Sequence, residues 1–225
     1  MNTACSKKDY IYPEGSIVGF IRLIDTNGKM LTDNSGVIVT VEGTNINAIT
    51  NEIGRFELVD VPVGTYNIVC EKNNFGSYIY ESFQFIGGDV PAFIYMPKIY
   101  QQSEVEVTNV DIDITESEIE IRGGLSESKG LRFFICIGNQ EDVSFLNYDF
   151  AYRGYWTGVG SEFNLYDSND GKYHYSAGER VYVIIYSVNA YEEYGFLNKA
   201  IDEYIYTSLK QTYNRVEVVV EKSKS

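Results

Sequence analysis

The chain holds one histidine, one tryptophan and three cysteines among 225 residues. A zinc site needing several histidines is therefore excluded. His174 sits in the Tyr-His-Tyr run with no recognisable Ser or Cys nucleophile turn beside it, so a Ser/His/Asp triad is not expected. Basic residues are also scarce. Eighteen Lys and Arg stand against 32 Asp and Glu, giving a formal net charge of −14. Such a surface repels phosphates, which argues against nucleic acid as a partner and against direct attachment to anionic lipid. No segment approaches the ~20 apolar residues needed to span a bilayer, and no EF-hand-like loop occurs to bind calcium.

The surplus acid reads first as solubility. Asp111 and Asp113 form the wet face of the alternating run Val110 to Ile114, not a metal pair. Any two carboxylates can meet in space for glycoside hydrolysis, but with 32 acids that carries almost no weight. No catalytic residue, metal or cofactor is expected. Cys70 and Cys136 lie inside apolar stretches and read as small buried hydrophobes. Cys5 lies instead in a polar tail.

Hydrophobic residues make up 44% of the chain, enough for real cores. Twenty Tyr, twelve Phe and twenty Gly suit an all-β protein with many turns. The length fits two domains of about 100 residues, and the strand pattern restarts after Tyr100. Asn51 to Gly54 forms a tight turn between a strand ending at Thr50 and one starting at Arg55. Phe56 and Leu58 then share one face, Arg55 and Glu57 the other. Pro62 and Gly64 turn the chain again before Tyr66, and Tyr66, Ile68 and Cys70 alternate along the next strand.

This stretch resembles the carboxypeptidase regulatory-like family, a β-sandwich of prealbumin type. Ile17, Gly19 and Ile21 match its first strand, and Asp25-Thr26-Asn27-Gly28 matches its acidic turn, with Leu31 following. Val39, Val41, Gly43 and Thr44 come next, then the two turns above. Asn51 stands where the family usually has Asp, which keeps the turn and weakens any metal role there. The resemblance covers roughly Gly15 to Pro97 and implies a structural or binding accessory domain with no catalytic residues.

In residues 104–222, Val105/Val107 and then Val110/Ile112/Ile114 alternate with polar partners, as do Ile119 and Ile121. Leu131 to Ile137 and Val181 to Val188 are almost continuously apolar, as in mid-sandwich strands. Val181, Val183, Ile185 and Ser187 are assigned to the core face, with Tyr182, Ile184 and Tyr186 opposite. Turns at intervals of about ten residues predict a sandwich. Gly158-Val159-Gly160-Ser161-Glu162-Phe163, Ala177-Gly178-Glu179-Arg180 and Tyr182 through Asn189 to Tyr194-Gly195 resemble fibronectin type III-like domains of Bacteroides-type surface lipoproteins. Ala177 replaces a Pro, and Ile184-Ile185 a more polar pair.

The expectation is thus two tandem β-sandwich domains, prealbumin-like over residues 15–99 and immunoglobulin/fibronectin III-like over 100–225. Residues 1–14 form a tether. Ala4-Cys5-Ser6-Lys7-Lys8 resembles the end of a bacterial lipoprotein signal. That resemblance implies a lipid anchor on Cys5, an apolar leader upstream of Met1, and a location outside the cytoplasm, at the outer membrane facing the surface or the periplasm.

Asn147 to Trp156 packs five aromatics into ten residues, and Tyr191, Tyr194 and Phe196 follow the last long apolar strand. Tyr and Trp offer flat apolar faces with a polar edge, suited to a sugar ring or a protein hot spot. Tyr148, Tyr152, Tyr155, Trp156, Tyr191 and Tyr194 are the candidate ligand-binding residues. Two readings fit: a non-catalytic binding or adhesion module for glycan or a surface protein, and a spacer or accessory subunit of an outer-membrane assembly with no ligand of its own. Exposure of Tyr155 and Trp156 separates them, since rings that fill the core favour the spacer.

Overall fold

The computed structural model describes residues 13–95, 97–156, 160–168, 173–193, 195–198 and 203–223. Cys5 lies outside these residues, as does nearly all of the expected tether. The described residues form strands and no helix, so none of them makes a helix able to cross a membrane. The first nine strands are β1 (Glu14–Phe20), β2 (Arg22–Ile24), β3 (Ile38–Val41), β4 (Asn47–Ile49), β5 (Arg55–Pro62), β6 (Gly64–Glu71), β7 (Ser77–Phe85), β8 (Gly88–Ile94) and β9 (Lys98–Tyr100). The others are β10 (Val107–Ile114), β11 (Glu118–Leu125), β12 (Leu131–Gly138), β13 (Phe150–Trp156), β14 (Glu162–Ser168), β15 (Arg180–Val188), β16 (Phe196–Asn198), β17 (Glu203–Ile205) and β18 (Lys210–Val219). The chain is all-β.

The strands gather into two compact units. One takes residues up to Arg22, then Thr32–Glu71 and Ile79–Pro97. It holds a three-stranded sheet, β5-β1-β8, and a four-stranded sheet, β4-β3-β6-β7. β1 runs antiparallel to β5 and parallel to β8. Ile17, Phe56, Leu58, Val39, Val41, Ile68 and Cys70 are buried in its core, each apolar side chain of Val, Leu, Ile or Phe size contributing roughly 1.5–3 kcal/mol. The turn before β5 closes as the sequence predicts: Gly54 N–H donates to Asn51 O at 2.7 Å, and Arg55 N–H to Asn51 Oδ1 at 2.9 Å. Gly54 has φ 78°, and a Cβ there would lie 2.1 Å from Ile21 O, so both conformation and space demand glycine. The strand before this turn stops at Ile49. Thr50 is a buried tie instead, its hydroxyl donating to Asn34 O and accepting from Val37 N–H.

The second unit takes Leu23–Leu31, Lys72–Tyr78 and the chain from Lys98 onward. Its sandwich sets the sheet β10-β11-β14 against β13-β12-β15-β18, every pair antiparallel. Leu131, Phe133, Ile135, Ile137, Val181, Val183 and Ile185 fill the space between the sheets with Ile119, Ile121, Phe163 and Leu165. Phe134, Cys136, Ile184, Tyr186 and Val188 face the other way and are buried under a second cluster that includes Val143, Phe145, Tyr148 and Tyr206. β12 and β15 are therefore covered on both faces, the reason their sequences are apolar without alternation. The break between Val107 and Val110 is a bulge. Asn109 takes φ 52°, and the β10–β11 register shifts between Thr108 and Asp111. The extra residue returns Val110, Ile112 and Ile114 to the core side.

Candidate functional site

β13 carries most of the candidate aromatics and divides them between its two faces. Phe150, Tyr152 and Trp156 pack against the core between the sheets, while Ala151 packs on the outer cluster. Tyr148 precedes the strand and joins that outer cluster, edge-on to Phe134 at 5.9 Å. Tyr148 and Tyr152 are thus packing residues, and the five described candidates do not form one surface. Tyr194 lies outside the described residues.

Tyr155 and Tyr191 are linked through Arg132. Tyr155 is 52% exposed, and the Arg132 guanidinium lies over its ring at 5.0 Å. Arg132 Nε donates to Ala190 O at 2.9 Å, next to Tyr191, which is 55% exposed. Tyr191 is held by its own turn: its N–H donates to Asn189 Oδ1 at 3.0 Å. Asn189 in turn donates from Nδ2 to Asp25 O (3.1 Å) and Gln101 O (2.9 Å).

The sequence reading missed Glu192. It is fully buried, and its carboxylate accepts from Thr207 N–H at 2.5 Å, Ser208 N–H at 2.9 Å and Ser208 Oγ–H at 2.5 Å. Burial raises its pKa above the usual carboxylate range, against the opposing pull of those donors. In sequence, Glu192 and Glu193 are indistinguishable; only the approach of Thr207 and Ser208 separates them.

Trp156 borders an open cleft of about 420 Å³, lined also by Asn109, Arg122, Gly123, Gly124, Glu162, Phe163 and Asn164. Its volume falls within the ~300–1,000 Å³ usual for small-ligand sites. Sequence produces this hollow by omission. Arg122 pairs with Asn164 and Gly124 with Glu162 across β11 and β14, while the two glycines contribute no side chain. A Cβ on Gly123 would meet the Phe163 ring at 2.7 Å, and one on Gly124 would meet Thr108 Oγ1 at 2.7 Å. The Trp156 indole N–H is buried and has no acceptor among the described residues. The donor is therefore not presented to the cleft. Arg122 is ion-paired to Asp111 at 2.8 Å, to Glu120 at 3.2 Å and to Asp113. Asn164 Nδ2 donates to Glu120 Oε1 at 2.9 Å.

Cleft and linked tyrosines both lie where β11, β13 and β15 end and β12 and β14 begin. The opposite end carries a cleft of about 440 Å³ lined by Asn139, Asp149, Tyr173, His174, Tyr175, Glu179 and Arg180. There Tyr175 donates to Asp149 Oδ2 at 3.3 Å and stacks on Tyr173 at 5.3 Å. Burial pushes the Tyr173 phenol up to about 12 and raises Tyr175 as well, so neither is a base at neutral pH. The Cys70 and Cys136 thiols are both pushed up to about 12 by burial, which makes them poor nucleophiles. No cluster of His, Cys, Asp or Glu fit to hold a metal occurs among the described residues.

No family model matches the sequence, and no curated protein does. Among solved structures, a Bacteroides uniformis protein proposed to bind carbohydrate matches 92% of this chain and 100% of its own, at 14% identity and a TM-score of 0.36. A DUF3823 family protein from Parabacteroides merdae matches over 90% of this chain and 100% of its own, at 14% identity and a TM-score of 0.31. A type II cohesin–X-dockerin complex from Acetivibrio cellulolyticus matches 39% of this chain at 19% identity and a TM-score of 0.34; the match spans 58% of the Acetivibrio chain. Likeness at this level says nothing of what this chain binds.

Proposed function

We propose that this chain is a non-catalytic binding module that takes a carbohydrate in the Trp156 cleft, works outside the cytoplasm and is tethered through a lipid on Cys5. The observation that supports this most is the make-up of the cleft. An aromatic side chain borders a hollow whose other walls present Asn109, Glu162 and Asn164, all of them exposed. A saccharide has an apolar C–H face and a rim of hydroxyls, which matches an aromatic wall beside amide and carboxylate groups. The Tyr155–Arg132–Tyr191 group widens the same end of the sandwich with residue types common in binding hot spots.

A glycan array probed with the whole chain tests this reading. Wild type is expected to bind, and both Trp156→Ala and the paired Glu162→Ala/Asn164→Ala variant are expected to lose that signal. Because Trp156 also packs on the core, the exposed pair is the cleaner variant, and circular dichroism must show it folded. No binding by folded wild type would overturn the proposal. The spacer reading would then stand, supported by the packing of the Trp156 ring on the core, although Tyr155 stays exposed.

A further inference from the structure

The charges around the Trp156 cleft carry the reading further. A lone arginine in a binding cleft ordinarily marks an anionic ligand, because a guanidinium grips carboxylate or sulfate through two parallel hydrogen bonds. Arg122 is not in that state. Its Nη2 serves Asp111 and Asp113, and its Nη1 lies 3.2 Å from Glu120 Oε2. Glu120 also receives the Asn164 amide. Glu162 is the one carboxylate on the cleft wall itself. Three carboxylates thus surround one guanidinium, and with Glu162 on the cleft wall the group carries a balance of three negative charges, in a protein that already carries −14.

We infer that the Trp156 cleft selects uncharged saccharides and excludes acidic ones, with the Asp111–Asp113–Glu120 ring acting as the filter by occupying Arg122. The inference rests on the carbohydrate reading above and names the substrate class of that site. A uronate or sulfate ester entering the cleft meets repulsion from Glu162 and finds a guanidinium whose two terminal nitrogens are already paired. A neutral hexose or N-acetylhexosamine needs only hydroxyl partners, and Asn109, Glu162 and Asn164 supply acceptors and donors for them. The filter acts at short range. Salt near 1 M, where the screening length falls to about 3 Å, relaxes it more than 0.1 M salt, where that length is about 10 Å.

The test is calorimetric titration of the whole chain with two probe sets: neutral hexose and N-acetylhexosamine oligosaccharides, and oligogalacturonates or heparin fragments of equal length. Neutral probes are expected to bind, with acidic ones at least about tenfold weaker at low salt and the gap narrowing at 1 M. Asp111→Asn/Asp113→Asn removes both charges from Arg122 Nη2, leaving Nη1 with Glu120, and is expected to raise affinity for the acidic set while leaving the neutral set within about threefold. Acidic probes that bind wild type as well as neutral ones do, and that no longer bind Glu162→Ala/Asn164→Ala, would overturn the filter and leave the carbohydrate site standing. Binding of neither set would overturn both.

Discussion

The two ends of the second sandwich hold clefts of nearly equal volume, and both are rich in aromatic residues. They differ in what those residues have already been used for. At the His174 end, Tyr173 and Tyr175 are buried, stacked on each other, and Tyr175 is hydrogen-bonded to Asp149. At the Trp156 end, Tyr155 and Tyr191 keep about half their surface, and the outward side chains of Asn109, Glu162 and Asn164 are exposed. Aromatic density alone therefore does not mark a site. What distinguishes the ends is the exposure of their tyrosines, since the polar side chains of Asn139, His174, Glu179 and Arg180 are exposed at the first end too.

The largest expected effect breaks the His174 end. Tyr175→Ala removes a nearly buried ring from the sandwich core, and large aromatic truncations in cores cost about 3–5 kcal/mol. Urea denaturation should show that loss, while whatever glycan the folded variant still meets at the Trp156 end binds unchanged. A variant that stays as stable as wild type but loses binding would reverse the roles assigned to the two ends.

Much of this contrast was legible in the sequence, and some of it was not. Alternation assigned Val181, Val183 and Ile185 to the core side, and the structure places them there. Alternation was read on both sides of the gap between Val107 and Val110 without the bulge between them, whose Asn109 lines the cleft. The fate of the β13 aromatics was hidden for a physical reason. In a half-wet strand, period two separates buried from exposed, but the sheet carrying β13 is covered by apolar clusters on both faces. Alternation there separates one interior from another, so it could not say that Tyr148 and Tyr152 would pack while Tyr155 stays exposed. Neither could it find a hollow made by the absent side chains of Gly123 and Gly124.

A middle-sized effect sharpens how the Trp156 end is held in place. Glu192 anchors the turn that presents Tyr191, and its carboxyl has its pKa raised by burial. A carboxyl with a raised folded-state pKa contributes stability that is complete below the ordinary value of 4.5 and is lost as pH rises through the folded value. Glu192→Gln removes that titration, so its stability should vary less with pH above 4.5 than that of wild type. The amide also brings one N–H₂ toward backbone donors, leaving a buried donor unpaired at a cost of about 1–3 kcal/mol. Urea midpoints measured from about pH 4 to about pH 8 check both parts, since that window spans the ordinary carboxyl range and the region above it; parallel curves for the two proteins would remove the titration from the account.

The smallest effect is the most discriminating. Tyr155→Ala at the Trp156 end is the counterpart of Tyr175→Ala at the other, an aromatic truncation in the same sandwich. Tyr155 gives up only a ring that is half in water and its stacking on Arg132, an interaction worth about 0.5–1 kcal/mol where it is exposed. Arg132 retains its bond to Ala190 O, so the Tyr191 turn should not move. The variant should therefore unfold within about 1 kcal/mol of wild type, and any glycan signal should weaken less than in Glu162→Ala/Asn164→Ala, whose side chains line the cleft itself. Should Tyr155→Ala cost as much stability as Tyr175→Ala, its ring would be structural despite its exposure, and tyrosine exposure would lose its standing as the mark of the binding end.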